Sequence, residues 1–461
     1  MRIINAIFVL VFLLPGCSFA PAYKVPEIKG ADGFKEAFAY EAQWKMASLD
    51  AGQVDPKQWW RLYRDDRLND LQQQAMANNP ELQAAAARVD RASALLVRTR
   101  ANLFPVVTGN ASVKNQDIGQ DEKPTHDYDV FGSISYGIDV FGRVRAASRA
   151  TALDKKQSQA LYDQVLLLLQ ANVAQIYFTL GALDTEIQLL QKTAALREAS
   201  FSLVEKRFKE GEENEQNTLR AKADLASTRA DLASVRQQRA LAEHALAILL
   251  GAAPSQLTLE AQALPQTVPA IPVGLPSVVL ERRPDIAAAQ FEMAAANERI
   301  GLARAAFFPS ISLTGQGGFS SPDLDNIFNW SSHAWTFGPA VSLPLFEGGR
   351  RMADLDLSKA DFQESLAAYR QKVLVAFREV EDTLSSLRLL SLRLDHLQQT
   401  VAAAEKAARL SDLRYQEGEV AYLEVLDTQR DLLVVQRALS QTQGELLNAT
   451  VQLIRVLGGG W

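Results

Sequence analysis

Asp127-Tyr128-Asp129-Val130-Phe131-Gly132-Ser133-Ile134-Ser135-Tyr136-Gly137-Ile138-Asp139-Val140 alternates with a period of two. Tyr128, Val130, Gly132, Ile134, Tyr136, Ile138 and Val140 fall on one face, and Asp127, Asp129, Ser133, Ser135 and Asp139 on the other. That pattern predicts a β-strand with one apolar and one polar side. A partner run upstream alternates Val107, Gly109, Ala111 and Val113 against Thr108, Asn110 and Ser112. Later, Ile311, Leu313, Gly315, Gly317 and Phe319 alternate with Ser310, Ser312, Thr314, Gln316, Gly318 and Ser320, and Trp335, Phe337, Val341, Leu343 and Leu345 share a further face. Runs of about 9–13 residues suit tilted membrane-spanning strands. Phe104, Tyr128, Phe141, Phe307, Phe308, Trp330, Trp335 and Phe346 sit near their ends, as interfacial aromatics do. Two soluble hairpins on a core would alternate in the same way. Four strands cannot close a membrane barrel, whose smallest form has about eight. The membrane reading therefore requires several copies, and a trimer supplies 3 × 4 = 12 strands.

The strand pairs belong to a tandem repeat. Asn79-Pro80-Glu81-Leu82 recurs as Arg283-Pro284-Asp285-Ile286, and Phe104-Pro105 as Phe308-Pro309, both shifted by 204 (283 − 79; 308 − 104). Phe141 corresponds to Phe346 at 205. Arg207-Phe208-Lys209-Glu210-Gly211-Glu212 recurs as Arg414-Tyr415-Gln416-Glu417-Gly418-Glu419 at 207, and Leu250-Gly251 as Leu457-Gly458. A period this long is duplication of a whole module, not a solenoid.

Between Arg143 and Pro254 there is no proline, and glycine occurs only at Gly181, Gly211 and Gly251. Residues 144–209 therefore predict one helix near 100 Å long at about 1.5 Å per residue. A turn at Gly211 and a return helix to Leu250 follow. The second half repeats this over 350–416, a turn at Gly418 and a return to Leu457. Val425, Leu432, Leu439, Leu446 and Leu453 lie seven apart, which predicts a coiled-coil seam. In the first half Leu225, Leu232 and Leu246 match it and Arg239 interrupts. Pro254, Pro265, Pro269, Pro272 and Pro276 mark a helix-poor break between the halves.

At the N-terminus, Arg2 precedes the apolar run Ile3 to Leu14, too short for a spanning anchor and suited to a signal peptide. Leu14-Pro15-Gly16-Cys17 resembles a bacterial lipobox, with Pro15 unusual at its place, and Cys17 is the only cysteine. An ordinary signal peptide with an incidental cysteine is the alternative. Two acyl chains on Cys17 would give stable membrane attachment, and Ser18 resembles the residue that follows cysteine in outer-membrane lipoproteins. The chain has 461 residues, 48% hydrophobic, with 48 Lys+Arg against 54 Asp+Glu. That balance disfavours nucleic acid. No stretch after residue 16 approaches the roughly 18 apolar residues of a spanning helix, which disfavours a polytopic helical protein.

Gln58-Trp59-Trp60, Asp65-Asp66-Arg67-Leu68, Asp139-Val140-Phe141-Gly142-Arg143, Glu281-Arg282-Arg283-Pro284-Asp285-Ile286, Phe308-Pro309, Pro344-Leu345-Phe346-Glu347-Gly348-Gly349-Arg350 and Arg414-Tyr415-x-x-Gly418 follow one another on this frame. Together they resemble the outer membrane efflux protein family, of the TolC/NodT lipoprotein type, over almost the whole mature chain. The resemblance implies a mainly α protomer with a membrane β-barrel, homotrimeric, 12-stranded, on a periplasmic α-helical tunnel. The expected division is 1–16 signal peptide, 17–78 lipidated segment and equatorial helix, 79–251 first repeat with strands within 106–140, 252–282 equatorial linker, 283–458 second repeat with strands within 310–345, and 459–461 tail. It further implies a passive exit duct in the outer membrane, partnered by a periplasmic membrane-fusion adaptor and an inner-membrane pump of the RND type.

Family tunnels close on carboxylate rings near their tips. Asp412, with its repeat counterpart Glu205 (412 − 207), is the expected periplasmic gate. Crowded carboxylates repel and attract cations. Solvated charges pairing with Lys206 or Arg414 are the alternative. Gly211, Glu212, Gly418, Glu419, Val420 and Ala421 are the expected adaptor-docking tips, and the acidic run Glu212-Glu213-Asn214-Glu215 suits a basic adaptor tip. His126, His244, His333 and His396 are scattered, without metal-ligand spacing, and no nucleophile or phosphate-loop motif occurs. We therefore expect no enzyme, no metal and no cofactor beyond the covalent lipid on Cys17. Drug or general solute export is the default cargo, five methionines arguing against a methionine relay for copper. A protein-secretion duct and a lipid-anchored coiled-coil scaffold without a pore are the alternatives.

Overall fold

The structure is a computed structural model, describing residues 19–26, 34–36, 56–116, 125–265, 269, 271 and 282–459. The signal peptide and Cys17 lie outside the described residues. The main elements are α1 (Asp66–Asn78), α2 (Pro80–Ala101), β1 (Val106–Gln116), β2 (Thr125–Ile138), α3 (Arg143–Lys209), α4 (Glu215–Leu249), α5 (Pro284–Ala305), β3 (Ser310–Ser321), β4 (His333–Ser342), α6 (Arg350–Gln416) and α7 (Tyr422–Val456). The order from α2 to α4 is repeated from α5 to α7. Two compact units emerge, one of Met1–Ile28, Ala87–Leu161 and Ile286–Lys372, the other of Lys29–Ala86, Tyr162–Asp285 and Val373–Trp461.

The first unit holds a four-stranded antiparallel sheet in the order β1-β2-β3-β4. Val106 faces Ser135, Ile138 faces Ile311, and Ser310 faces Ser342. Measured against the strand that precedes each, β4 is shifted from β2 by 342 − 135 = 207, not by the 205 expected from Phe141 and Phe346. The whole three-residue difference falls in the hairpin connections, eight residues between β1 and β2 and eleven between β3 and β4. The aromatics after the strands are thus not register equivalents. Residues 19–23 run along α5: Asn297 Nδ2 donates to the Pro21 carbonyl at 2.9 Å and Arg304 Nη1 to that of Phe19 at 3.2 Å. Phe19 stacks on Phe308, and Phe308 on Phe141, with centroids 4.5 and 4.9 Å apart.

The second unit is helical, with a main buried cluster and smaller ones about Leu190 and Val204. Trp59, Leu68, Val173, Phe178, Leu384, Leu446, Val451 and Ile454 are among its buried members. One window of α3 is long and apolar enough to cross a membrane by composition, contrary to the expectation from sequence. Half of that window is buried in the protein, and Leu169, Ala171, Val173 and Phe178 belong to the core. The seam on α7 also differs from expectation. Val425, Leu446 and Leu453 are buried as expected, but Leu432 and Leu439 are half-buried, and the row buried throughout is Leu426, Leu433, Ser440, Leu447 and Ile454. Ser440 hides that row from a hydrophobic count. A Cβ on Gly444 would stand 2.8 Å from the Ala182 Cβ, so the small residue permits close helix approach.

Candidate functional site

The registers sort the sheet into two faces. Val107, Ile134, Gly315 and Phe337 lie in one cross-strand row, and Ala111, Val130, Phe319 and His333 in another on the same side. Opposite, Thr108 Oγ1 and Ser133 Oγ are 2.7 Å apart, and Asp129 accepts from Ser112 at 3.2 Å and Ser320 at 2.7 Å. Lys114 Nζ stands 3.5 Å from the Asp129 carboxylate. One side thus offers aliphatic and aromatic groups and the other hydroxyls and a neutralised carboxylate. Such a wall separates lipid from water.

At the far ends of the long hairpins, Gly211 and Gly418 adopt φ of 79° and 78°. The Glu212 and Glu419 amides donate back to the Arg207 and Arg414 carbonyls at 2.9 and 2.8 Å. This helix-stop geometry favours glycine and turns both tips alike. Glu212, Glu419 and Ala421 are exposed and Val420 is half-buried. The two tips are joined: the Tyr415 hydroxyl donates to Glu213 at 3.4 Å, and the Arg207 guanidinium lies 5.3 Å from the Tyr415 ring centroid. Tyr415 meets Tyr422 at 5.4 Å between centroids, above Val204, Ala221, Val425 and Leu426.

Asp412 accepts from Gln416 Nε2 at 2.9 Å, and Glu205 stands 3.3 Å from Lys209 Nζ. Each carboxylate thus pairs one turn along its own helix, with partners other than the expected Lys206 and Arg414. Lys206 pairs with Glu210, and Arg414 with Glu419 and Glu424.

The polar ties that bind α7 to the first hairpin were missed by sequence reasoning. Asp224 on α4 meets Arg197 of α3 at 2.7 Å and Arg430 of α7 at 2.8 Å. Two turns on, Arg437 meets Glu186 at 2.6 Å and Asp231 at 3.5 Å. Arg239, which broke the predicted seam, meets Asp184 at 2.7 Å and donates to the Leu259 carbonyl at 2.6 Å. The spacing of Arg430 and Arg437 by seven on α7 was the available signal.

Burial, reinforced by the Asp224 carboxylate, pushes the Tyr422 hydroxyl up from 10.0 to about 12. The folded chain therefore holds this proton more tightly than the unfolded one. The resulting stabilisation is whole below pH 10 and is lost as pH rises through about 12. Difference titration of tyrosinate absorbance between the wild type and Tyr422→Phe should isolate a step near the upper value. A step near 10 would show that water reaches the tip cluster.

The profile described as "Outer membrane efflux protein" matches residues 71–252 and 275–459. The chain belongs to the outer membrane efflux protein family. It is 33% identical over 459 residues to the cation efflux system protein CusC of Escherichia coli strain CFT073, covering 98% of each chain. It is 32% identical over 461 residues to the probable efflux pump outer membrane protein TtgC of Pseudomonas putida strain KT2440, covering 98% of this chain and 94% of TtgC. The solved outer-membrane channel OprN superimposes with a TM-score of 0.88 at 31% identity, over 96% of this chain and all of OprN. This family member is an outer-membrane efflux channel component, its helices extending into the periplasm.

Proposed function

We propose that three copies form a passive duct through which small solutes leave the periplasm, with an inner-membrane RND-type pump choosing the cargo. The sheet carries this reading. One face is apolar, the other polar, and both edge strands, β1 and β4, lack partners among the described residues. The relatives' names differ on cargo, a cation system for CusC and an efflux pump for TtgC. No group of three or more His, Cys, Asp or Glu side chains able to hold a metal ion occurs among the described residues. A periplasmic adaptor would dock on Gly211, Glu212, Gly418, Glu419, Val420 and Ala421, whose acidic surroundings suit a basic partner. Diacylated Cys17 would fix the N-terminus in the inner leaflet, near the residues 19–23 that line α5.

Purified full-length protein in planar bilayers should conduct as a trimer, and trimers without conductance would favour the scaffold alternative. In that assay Asp412→Ala combined with Glu205→Ala should raise basal conductance at least severalfold. An unchanged conductance would remove these carboxylates from the gate.

A further inference from the structure

We propose that β4 and α6 of one copy meet β1 and α2 of the next in a single register, with facing residue numbers summing to 452. This rests on the trimeric reading above and adds which residues touch. The internal repeat supplies the arithmetic. β3 is β1 shifted by 310 − 106 = 204, and β4 is β2 shifted by 207. Facing residues of β2 and β3 sum to 138 + 311 = 449. Carrying each strand to its counterpart gives 449 + 207 − 204 = 452 for β4 against the next copy's β1. Val341 then faces Ala111 and Leu345 faces Val107 on the apolar side, while Ala340 faces Ser112 on the polar side. A slip of one residue would turn the apolar rows to the wrong face.

β4 shows the absence of its partner. It ends at Ser342, whereas β2 runs to Ile138, whose counterpart is residue 345 (138 + 207). Leu345 and Phe346, just beyond, are each 90% exposed, the most exposed large hydrophobics among the described residues. Pairing with a second copy would continue β4 to Leu345 and cover that edge.

The helices reach the same sum from different chemistry. α5 lies beside α3 through Glu298–Arg149 at 2.9 Å, Arg299–Asp154 at 2.7 Å and Phe291 beneath Lys156 at 5.7 Å. Those sums are 447, 453 and 447, near 449, so the counterpart pair, α2 of the next copy and α6, should face near 452. At 452, Arg98 faces Asp354, Arg91 faces Asp361 and Arg88 faces Glu364. All six are exposed. The repeat carries over only one of these charges, Asp361 as Asp154, while Arg98, Arg91, Arg88, Asp354 and Glu364 correspond to Leu302, Ala295, Glu292, Ala147 and Gln157. Arg91 and Arg98 are two turns apart on one face of α2, as Asp354 and Asp361 are on α6. The contact is head-to-tail, the kind that closes a ring.

Cysteine pairs in the full-length chain test the register, with the chain carrying Cys17 alone as the control for its own thiol. Ala340→Cys with Ser112→Cys, and the neighbouring Val341→Cys with Ala111→Cys, are oxidised in isolated outer membranes. Adjacent antiparallel pairs alternate between close and wide, so one of the two suits a disulfide. Most of the chain should then run as covalent dimer and trimer on denaturing gels. Ala340→Cys with Asn110→Cys or with Lys114→Cys, slipped by two residues, should give at most a tenth as much. Arg91→Glu and Asp361→Arg should each lower the temperature at which the trimer dissociates, and their combination should restore it. Cross-linking strongest in a slipped pair, or no rescue by the charge exchange, would overturn the register while native mass still reported trimers. A chain that stayed monomeric would overturn the trimeric reading itself.

Discussion

Replacing Asp224 with alanine is expected to destabilise the helical unit by about 3–5 kcal/mol, the cost of removing one partner from a buried ion pair. The Asp224 side chain is 4% exposed and holds Arg197 at 2.7 Å and Arg430 at 2.8 Å. The two arginines respond differently to its loss. Arg430 is 49% exposed and can return to water, whereas Arg197 is 6% exposed and would keep a buried charge. Its remaining contacts, to Thr228 Oγ1 and the Asp224 carbonyl, are neutral acceptors. Most of the loss therefore belongs to Arg197. Adding Arg197→Met to Asp224→Ala should recover a large part of it, because removing both charges costs less than removing one. Thermal melting of the solubilised protein, with proteolysis near Gly211 and Gly418 as a local readout, measures both effects. A loss below about 1 kcal/mol, the range of surface pairs, would show that Arg197 is hydrated after all.

The same triad shows why the sequence was legible in some places and opaque in others. The strands could be read because membrane and water force a two-residue alternation, and Asp127 to Val140 displays it without help from any distant residue. The tips could be read because left-handed φ at Gly211 and Gly418 restricts residue type locally. Asp224 could not be read: its partners lie 27 positions before and 206 after it, on two other helices. Nor did the repeat point to it, since the counterpart of Asp224 is exposed Asp431, and that of Arg197 is Ala404. The seam on α7 was legible at Val425, Leu446 and Leu453, which are buried, and misplaced at Leu432 and Leu439 for a related reason. A hydrophobic count favours Leu432 and Leu439 over Ser440, yet Ser440, one turn from the close helix approach at Gly444, is buried and the two leucines only half-buried.

Gly251→Ala and Gly458→Ala are each expected to cost about 2–5 kcal/mol, combining about 1–2 for a left-handed alanine with about 1–3 for overpacking. These glycines end α4 and α7 with φ of 70° and 94°. A Cβ on Gly251 would stand 2.4 Å from the Asn78 carbonyl oxygen, and one on Gly458 would stand 2.8 Å from that of Arg282. Backbone, not a flexible side chain, is the obstacle in both cases. The same joint is built twice: Asn79 Nδ2 donates to the Leu249 carbonyl at 3.0 Å, and Arg283 Nη1 to the Val456 carbonyl at 3.1 Å. Arg283 also holds Asp285 and Glu379, each at 2.8 Å. Burial works against its charge, but the two carboxylates outweigh it and hold the guanidinium above its ordinary range. Gly211 separates the two contributions, since it has a φ of 79° but a Cβ added there would meet nothing within 4 Å. Gly211→Ala should therefore cost only the conformational part, about 1–2 kcal/mol. Melting temperatures should fall least for Gly211→Ala and clearly further for the other two. Equal losses at all three sites would mean that α2 and α5 yield at their starts, and that the close approach to α4 and α7 does not hold the two repeats in place.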